Sequence, residues 1–117
     1  MNKPRPRATA TCRPDSSATA ASLGPLDDDA ADAELAAFAK ALGHPIRVRI
    51  VRMLARKEAR MCSHIVDELP LAQSTVSEHL RILKAAGLIV ANESGPRVGY
   101  CIAPIALSRV KALLQAL

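Results

Sequence analysis

From residue 35 onward the apolar positions of this chain follow two rhythms, one helical and one alternating. Leu35, Phe38, Ala39 and Leu42 recur at steps of three and four, which predicts a helix with one apolar face. Asp27, Asp28 and Asp29 open it at its positive end and Gly43 closes it. Pro45 suits the first turn of a second helix that runs to about Lys57. In it Ile46, Ile50, Val51 and Leu54 form the apolar stripe, with Arg47, Arg49, Arg52 and Arg56 largely off it. Ser63 is an N-cap for a short helix over 63–69 that turns Ile65, Val66 and Leu69 inward and stops at Pro70. A longer helix follows over 73–86, with Val76, Leu80 and Leu83 as its buried stripe and Gly87 as its terminator.

Past Gly87 the period shortens. Leu88–Asn92 and Arg97–Ile102 read as two strands of a hairpin joined by Glu93-Ser94-Gly95-Pro96, while Arg60 to Cys62 read as a short strand or an extended link. Pro104 opens a closing helix in which Ile105, Leu107, Val110, Leu113, Leu114 and Leu117 are apolar over more than one face, so it needs a partner in the core or in a second subunit. A short helix, a tight connection through Pro70-Leu71-Ala72, a longer helix and then a hairpin is the order of a winged helix-turn-helix. The fold class expected is therefore mainly α with a small β-hairpin wing, an α+β arrangement. Residues 1–26, rich in Pro, Ala, Ser, Thr and Arg, hold too little apolar surface to offset the entropy of ordering. They are expected to be a disordered tail, leaving 27–117 as one domain for DNA binding and dimerisation.

Composition narrows the function. At 117 residues there is room for one modest core. Aromatic residues make up 2%, with Phe38 and Tyr100 as isolated rings, too few to stack single-stranded bases; duplex binding needs none. The net charge of +5 divides into +3 over 1–26, −4 over 27–43 and +6 over 44–117, so the positive excess sits with the helix-turn-helix pattern. A merely solvated basic surface gives the same count. No run approaches the roughly 18 apolar residues that span a bilayer, and the N-terminus lacks the apolar stretch of a signal peptide, so a cytoplasmic protein without a membrane partner is expected. His44, His64 and His79 are scattered, and no nucleophile with a base, carboxylate pair or glycine-rich phosphate loop is visible; the chain does not read as an enzyme.

With Val76, Leu80 and Leu83 turned inward, Gln73, Ser74, Thr75, Ser77, Glu78, Arg81 and Lys84 face outward. Short polar side chains at the start of that helix suit base edges in a major groove, and Arg81 and Lys84 suit phosphates. His79 either joins them or makes a structural hydrogen bond. Arg97, just after the hairpin tip, is placed for the backbone or a minor groove, or is a solvated loop arginine. The plain alternatives are an amphipathic helix with a solvated face and a winged-helix protein-interaction module, whose surface would be more apolar and less basic.

ALGHPIRVRIVRMLA at 41–55, LPLAQSTVSEHLRILKAAGLI at 69–89 and GPRVGYCI at 95–102 resemble the ArsR/SmtB family of bacterial metalloregulatory and related repressors; the resemblance covers about residues 34–117. It implies a homodimer joined through the first and last helices, residues 31–43 and 104–117, that binds operator DNA and is released by an inducer. Ala72 departs from the serine that often caps the family's recognition helix, a local cost of about 1 kcal/mol. In the family's zinc sensors the last helix supplies Asp and His ligands, and residues 104–117 here hold no His, Asp, Glu or Cys. The arsenic-sensing branch has a Cys-x-Cys pair where this chain has Cys62-Ser63-His64. As(III) or Sb(III), or another thiophilic ion, is thus a candidate inducer at Cys62, with His64, Cys12 and Cys101 to complete the site; trivalent arsenic prefers three thiolates. Two of the three cysteines forming a redox switch is an alternative. So is no sensing at all, with Cys62 and Cys101 as small buried hydrophobes.

Overall fold

Asp28 starts the first helix by accepting the Ala31 N–H on its carboxylate at 2.8 Å, with Asp29 and Asp32 in the first turn against the positive end of the dipole. The computed structural model describes residues 24–56, 60–61, 65, 67–94 and 97–117. Its elements are α1 (Asp29–Ala41), α2 (Pro45–Arg56), β1 (Arg60–Met61), α3 (Gln73–Ala85), β2 (Ile89–Ser94), β3 (Arg97–Ile102) and α4 (Pro104–Gln115). Ile65 and Asp67 are helical, within the stretch predicted as a short helix; residues 63, 64 and 66 of that stretch lie outside the described residues. So does most of the expected tail, residues 1–23.

The strands form one antiparallel sheet in the order β1-β3-β2, with Ile89 opposite Ile102 at one end of the hairpin and Ser94 opposite Arg97 at the other. Arg60 and Met61, read as a strand or a link, pair with Tyr100 and Gly99 and so add a third strand to the wing. Ile50, Leu54, Ile65, Val76, Leu80, Leu83 and Leu113 come together as fully or nearly fully buried side chains, a core shared by all the helical segments. The expected mainly α fold with a β wing is what forms.

Three local expectations are revised. The buried face of α1 is Ala31, Phe38 and Ala41, with Leu35 and Leu42 half-buried and Ala39 exposed. In a helix this rich in alanine, small apolar residues surround the axis, and only the large ones mark the face. Gly43 closes α1 without a left-handed backbone. It is small because an added Cβ would lie 3.3 Å from the carbonyl oxygens of Ala39 and Lys40. Leu88 does not begin a strand. Its N–H donates to the Leu83 carbonyl at 3.1 Å while the Gly87 N–H donates to the Lys84 carbonyl at 2.9 Å, a Schellman close to α3 that brings Leu88 onto Leu83 in the core.

Gly87 holds φ at +84°, and nothing lies within 4 Å of where a Cβ would be. Gly87→Ala therefore carries only the backbone penalty of the left-handed region. It is expected to lower unfolding free energy by about 1–2 kcal/mol, read from urea melts, with the native spectrum retained.

Among the described residues one charge lies inside. Arg109 on α4 is 3% exposed, and its guanidinium donates to both carboxylate oxygens of Glu34 on α1 at 2.9–3.1 Å. Its remaining N–H groups reach the carbonyls of Gly24 at 2.9 Å and Pro25 at 2.7 Å. The fork fastens the first helix, the last helix and the segment entering α1 to one another. Gly24 and Pro25, assigned by composition to the tail, are thus hydrogen-bonded to the domain. The guanidinium is held more firmly protonated by the Glu34 hydrogen bond.

Candidate nucleic-acid interface

Helix α3 is anchored from behind. Val76, Leu80 and Leu83 are each fully buried, and α3 packs on α2 and β2. With that stripe fixed, the 3.6-residue period turns Gln73, Ser74, Thr75, Ser77, Glu78, Arg81 and Lys84 outward, and all seven are exposed. No side chain caps α3 at Ala72; Thr75 and Val76 donate to the Ala72 carbonyl at 3.1 and 3.0 Å. The outward surface therefore starts with short polar groups and ends with two cations.

The cations are not equivalent. Arg81 donates to Glu78 through Nε at 3.0 Å and through a terminal nitrogen at 2.5 Å, with both side chains more than half exposed. That hydrogen bond holds the Glu78 carboxyl below its usual range and the Arg81 guanidinium above its own. Exposed i,i+3 pairs are weak, so a phosphate competes readily for Arg81. The pairing was legible in the spacing of Glu78 and Arg81 along the helix.

His79 stands apart from the exposed row. It is half-buried, its ring centroid 4.6 Å from that of His44, and its Nδ1 accepts from Arg47 Nε at 3.3 Å. Arg47 also donates to the carbonyls of Lys40 at 3.2 Å and Ala41 at 3.1 Å, and His44 Nδ1 accepts the Ile46 N–H at 3.1 Å to cap α2. Arg47, expected off the apolar stripe, is instead half-buried in the seam where α1, α2 and α3 meet, because its fork satisfies the last carbonyls of α1. No sequence signal joins these residues, which lie up to 35 positions apart.

Burial, then the neighbouring charge of His44 and that of Arg47, lower the His79 pKa; Glu78 acts weakly the other way. A histidine whose folded pKa is depressed contributes its full stability above the unfolded value of about 6.5 and loses it as pH falls below that value, because the unfolded chain binds the proton first. Acidification from about pH 7.5 to about pH 5.5 is therefore expected to lower the melting temperature. His79→Gln should flatten that dependence.

Arg97 is the first residue of β3, opposite Ser94 at the hairpin tip. Cys101, nearer the other end of β3, is 1% exposed and its sulfur is in a disulfide. Cys12, Cys62 and His64 lie outside the described residues. Among the described residues no group of three or more His, Cys, Asp or Glu is arranged to hold a metal ion, and no helix is long and apolar enough to cross a membrane.

Residues 42–90 match a family described as a helix-turn-helix domain. Over 72 residues the chain is 42% identical to the HTH-type transcriptional repressor SmtB of Mycobacterium tuberculosis, an overlap of 61% of this chain and 52% of that protein. The chain thus spans about half the length of this relative. It is 38% identical over 76 residues to an HTH-type transcriptional regulator of Methanocaldococcus jannaschii, covering 65% of this chain and 82% of that one. Among solved structures it resembles an ArsR-like transcriptional regulator from Rhodococcus sp. RHA1, with a TM-score of 0.64 and 27% identity over 72% of this chain and 78% of that one. These relatives are named as regulators of transcription, and none of the three as an enzyme. With the buried stripe of α3, its exposed polar face and the β wing, these likenesses establish that the chain belongs to the ArsR/SmtB family of winged helix-turn-helix transcriptional regulators.

Proposed function

We propose that this protein is a homodimeric repressor that inserts α3 of each subunit into successive major grooves of duplex operator DNA and leaves it when its cysteine chemistry changes. The observation that carries the reading is the division of α3 into a fully buried stripe and an exposed face of Gln73, Ser74, Thr75, Ser77, Arg81 and Lys84. Gln73 and Thr75 read base edges, Arg81, Lys84 and Arg97 bind phosphates, and His79 positions the helix through Arg47.

Dimerisation uses residues 31–43 and 104–117. Leu114 is 51% and Leu117 91% exposed at the end of α4, and Leu26 is 37% exposed beside α1, apolar surface that a second copy would cover. A two-fold dimer sets the half-sites about 34 Å apart. The protein acts in the cytoplasm, where its DNA is.

Two effector readings follow from the cysteines. In the first, As(III), Sb(III) or another thiophilic ion binds Cys62 with Cys12, Cys101 or His64. The disulfide at Cys101 favours the second: a redox switch, in which Cys101 and one of the chain's two other cysteines, Cys12 or Cys62, each lose a proton and one electron to a thiol oxidant and join. Cytosolic disulfides are more often redox devices than structural staples.

Mobility shifts on promoter duplex and scrambled duplex at several salt concentrations test the DNA reading. Gln73→Ala and Thr75→Ala should change sequence preference, and Lys84→Ala should weaken all sequences alike. Equal, salt-insensitive binding overturns it. Titrating the complex with arsenite, antimonite, zinc, copper(I) and diamide, with Cys12→Ser, Cys62→Ser and Cys101→Ser beside wild type, separates the effectors. Release by diamide alone, lost in Cys101→Ser, selects the redox switch, and release by arsenite that is lost in Cys62→Ser, with no release by diamide, selects the metalloid.

A further inference from the structure

The outer side of α2 carries charge that α3 does not need for its packing. Arg49, Arg52 and Arg56 are exposed and spaced i, i+3, i+7, which at about 100° per residue puts them on one face, opposite the buried Ile50, Val51 and Leu54. They line an open cleft of about 510 Å³ with Pro45, Met53 and Glu68. Among the described residues none of the three arginines is in an ion pair. Like charges at this spacing destabilise a helix, so the row, with the Glu68 carboxylate beside it, still favours a further anion against α2.

The groove face is electrostatically modest by comparison. α3 presents Arg81 and Lys84 against Glu78, and Arg81 is already bonded to Glu78. Glu68 lies a few residues before Gln73, so the α2 cleft borders the turn that delivers α3. A duplex seated on α3 continues beyond the groove as two rows of phosphates, a partner whose charge and repeat match three arginines along one helix face.

We infer that Arg49, Arg52 and Arg56 form a second phosphate-binding surface, which grips the DNA backbone outside the groove entered by α3. The inference rests on the DNA-binding reading above and adds to it a second source, about half, of the salt-dependent affinity. With a slope of log K against log salt of about −0.9 per neutralised phosphate, Arg81, Lys84 and Arg97 supply about −2.7 per subunit, and the α2 row adds about −2.7 more.

Fluorescence anisotropy of a labelled 40-base-pair duplex of random sequence, over a salt series, tests this with the full chain. Arg49→Gln/Arg52→Gln/Arg56→Gln is expected to bind at least about tenfold more weakly at low salt, with a slope shallower by about 2–3 per bound subunit. The corresponding triple lysine variant keeps the point charges and is expected to bind within a few-fold of wild type, and Arg52→Gln alone should reduce the slope by about one. Melting temperatures should stay at or above the wild-type value, because removing like charges relieves α2. A glutamine variant with wild-type affinity and slope, as expected if the cleft serves a small anion or an acidic protein, overturns the inference and leaves the DNA reading standing. So does a lysine variant as weak as the glutamine one. Wild type that binds the duplex without salt dependence overturns both.

Discussion

Leu80→Ala is expected to reduce unfolding free energy by about 2–5 kcal/mol, the range for emptying a fully buried leucine site. Leu80 is 0% exposed at the middle of the α3 stripe, where α3 packs on α2 and β2. Collapse around the void is restricted because Val76 and Leu83, one turn to either side, are themselves fully buried and interlocked with the same neighbours. At about 4–8 °C per kcal/mol for a domain of this size, the melting temperature should fall by about 8 °C or more. DNA binding should fail with it near physiological temperature, since total stability of such domains is about 5–15 kcal/mol. Chemical denaturation of Leu80→Ala beside Thr75→Ala provides the contrast. Thr75, exposed on the same helix, should change stability by no more than about 0.5 kcal/mol. A loss below about 1 kcal/mol at Leu80 would mean that α3 is not held by this stripe, and the outward orientation of its polar face would lose its physical basis.

The α3 stripe was legible because it depends only on local periodicity: Val76, Leu80 and Leu83 are large, apolar and separated by polar residues, so just one rotation of the helix buries them. Pro45, Pro104 and Gly87 marked element ends for equally local reasons, fixed φ in the first case and a left-handed backbone in the last. Where periodicity is ambiguous, sequence reasoning chose the wrong alanine: Ala39 is exposed, while Ala31 and Ala41 are buried beside the expected Phe38. In α1 the alanines match any rotation, and the choice among them is made by α4. What could not be read at all are polar contacts between distant segments. Arg47 meets His79 across 32 positions, and Arg109 meets Glu34 across 75. Arg109 still leaves a faint trace, a charge beside Val110 on the side of the helix that also buries Leu113, while the helix's other charge, Lys111, is exposed. The exposed residues of α3 follow automatically once the buried stripe is known, so their outward orientation was readable. The cysteine chemistry was not, because disulfide reach is a matter of tertiary distance.

Opposite changes at neighbouring positions of α3 should move DNA affinity in opposite directions. Arg81→Glu puts two carboxylates where a phosphate is to approach. Like-charge juxtaposition across an interface costs several kcal/mol, so affinity for any duplex should fall by about two orders of magnitude or more, at about 1.4 kcal/mol per factor of ten. Glu78→Gln removes the competitor that holds Arg81 at 2.5–3.0 Å and one like charge from the face, so affinity should rise by several-fold, again without regard to sequence. Stability should be nearly unchanged in Glu78→Gln, since both partners of the pair are more than half exposed and such pairs contribute little. The two variants therefore separate charge from folding, and anisotropy titrations on one duplex at fixed salt read both. If Glu78→Gln binds more weakly than wild type, the carboxylate is itself a base contact, accepting from a cytosine amino group. Loss should then appear only on sequences that place a cytosine opposite it.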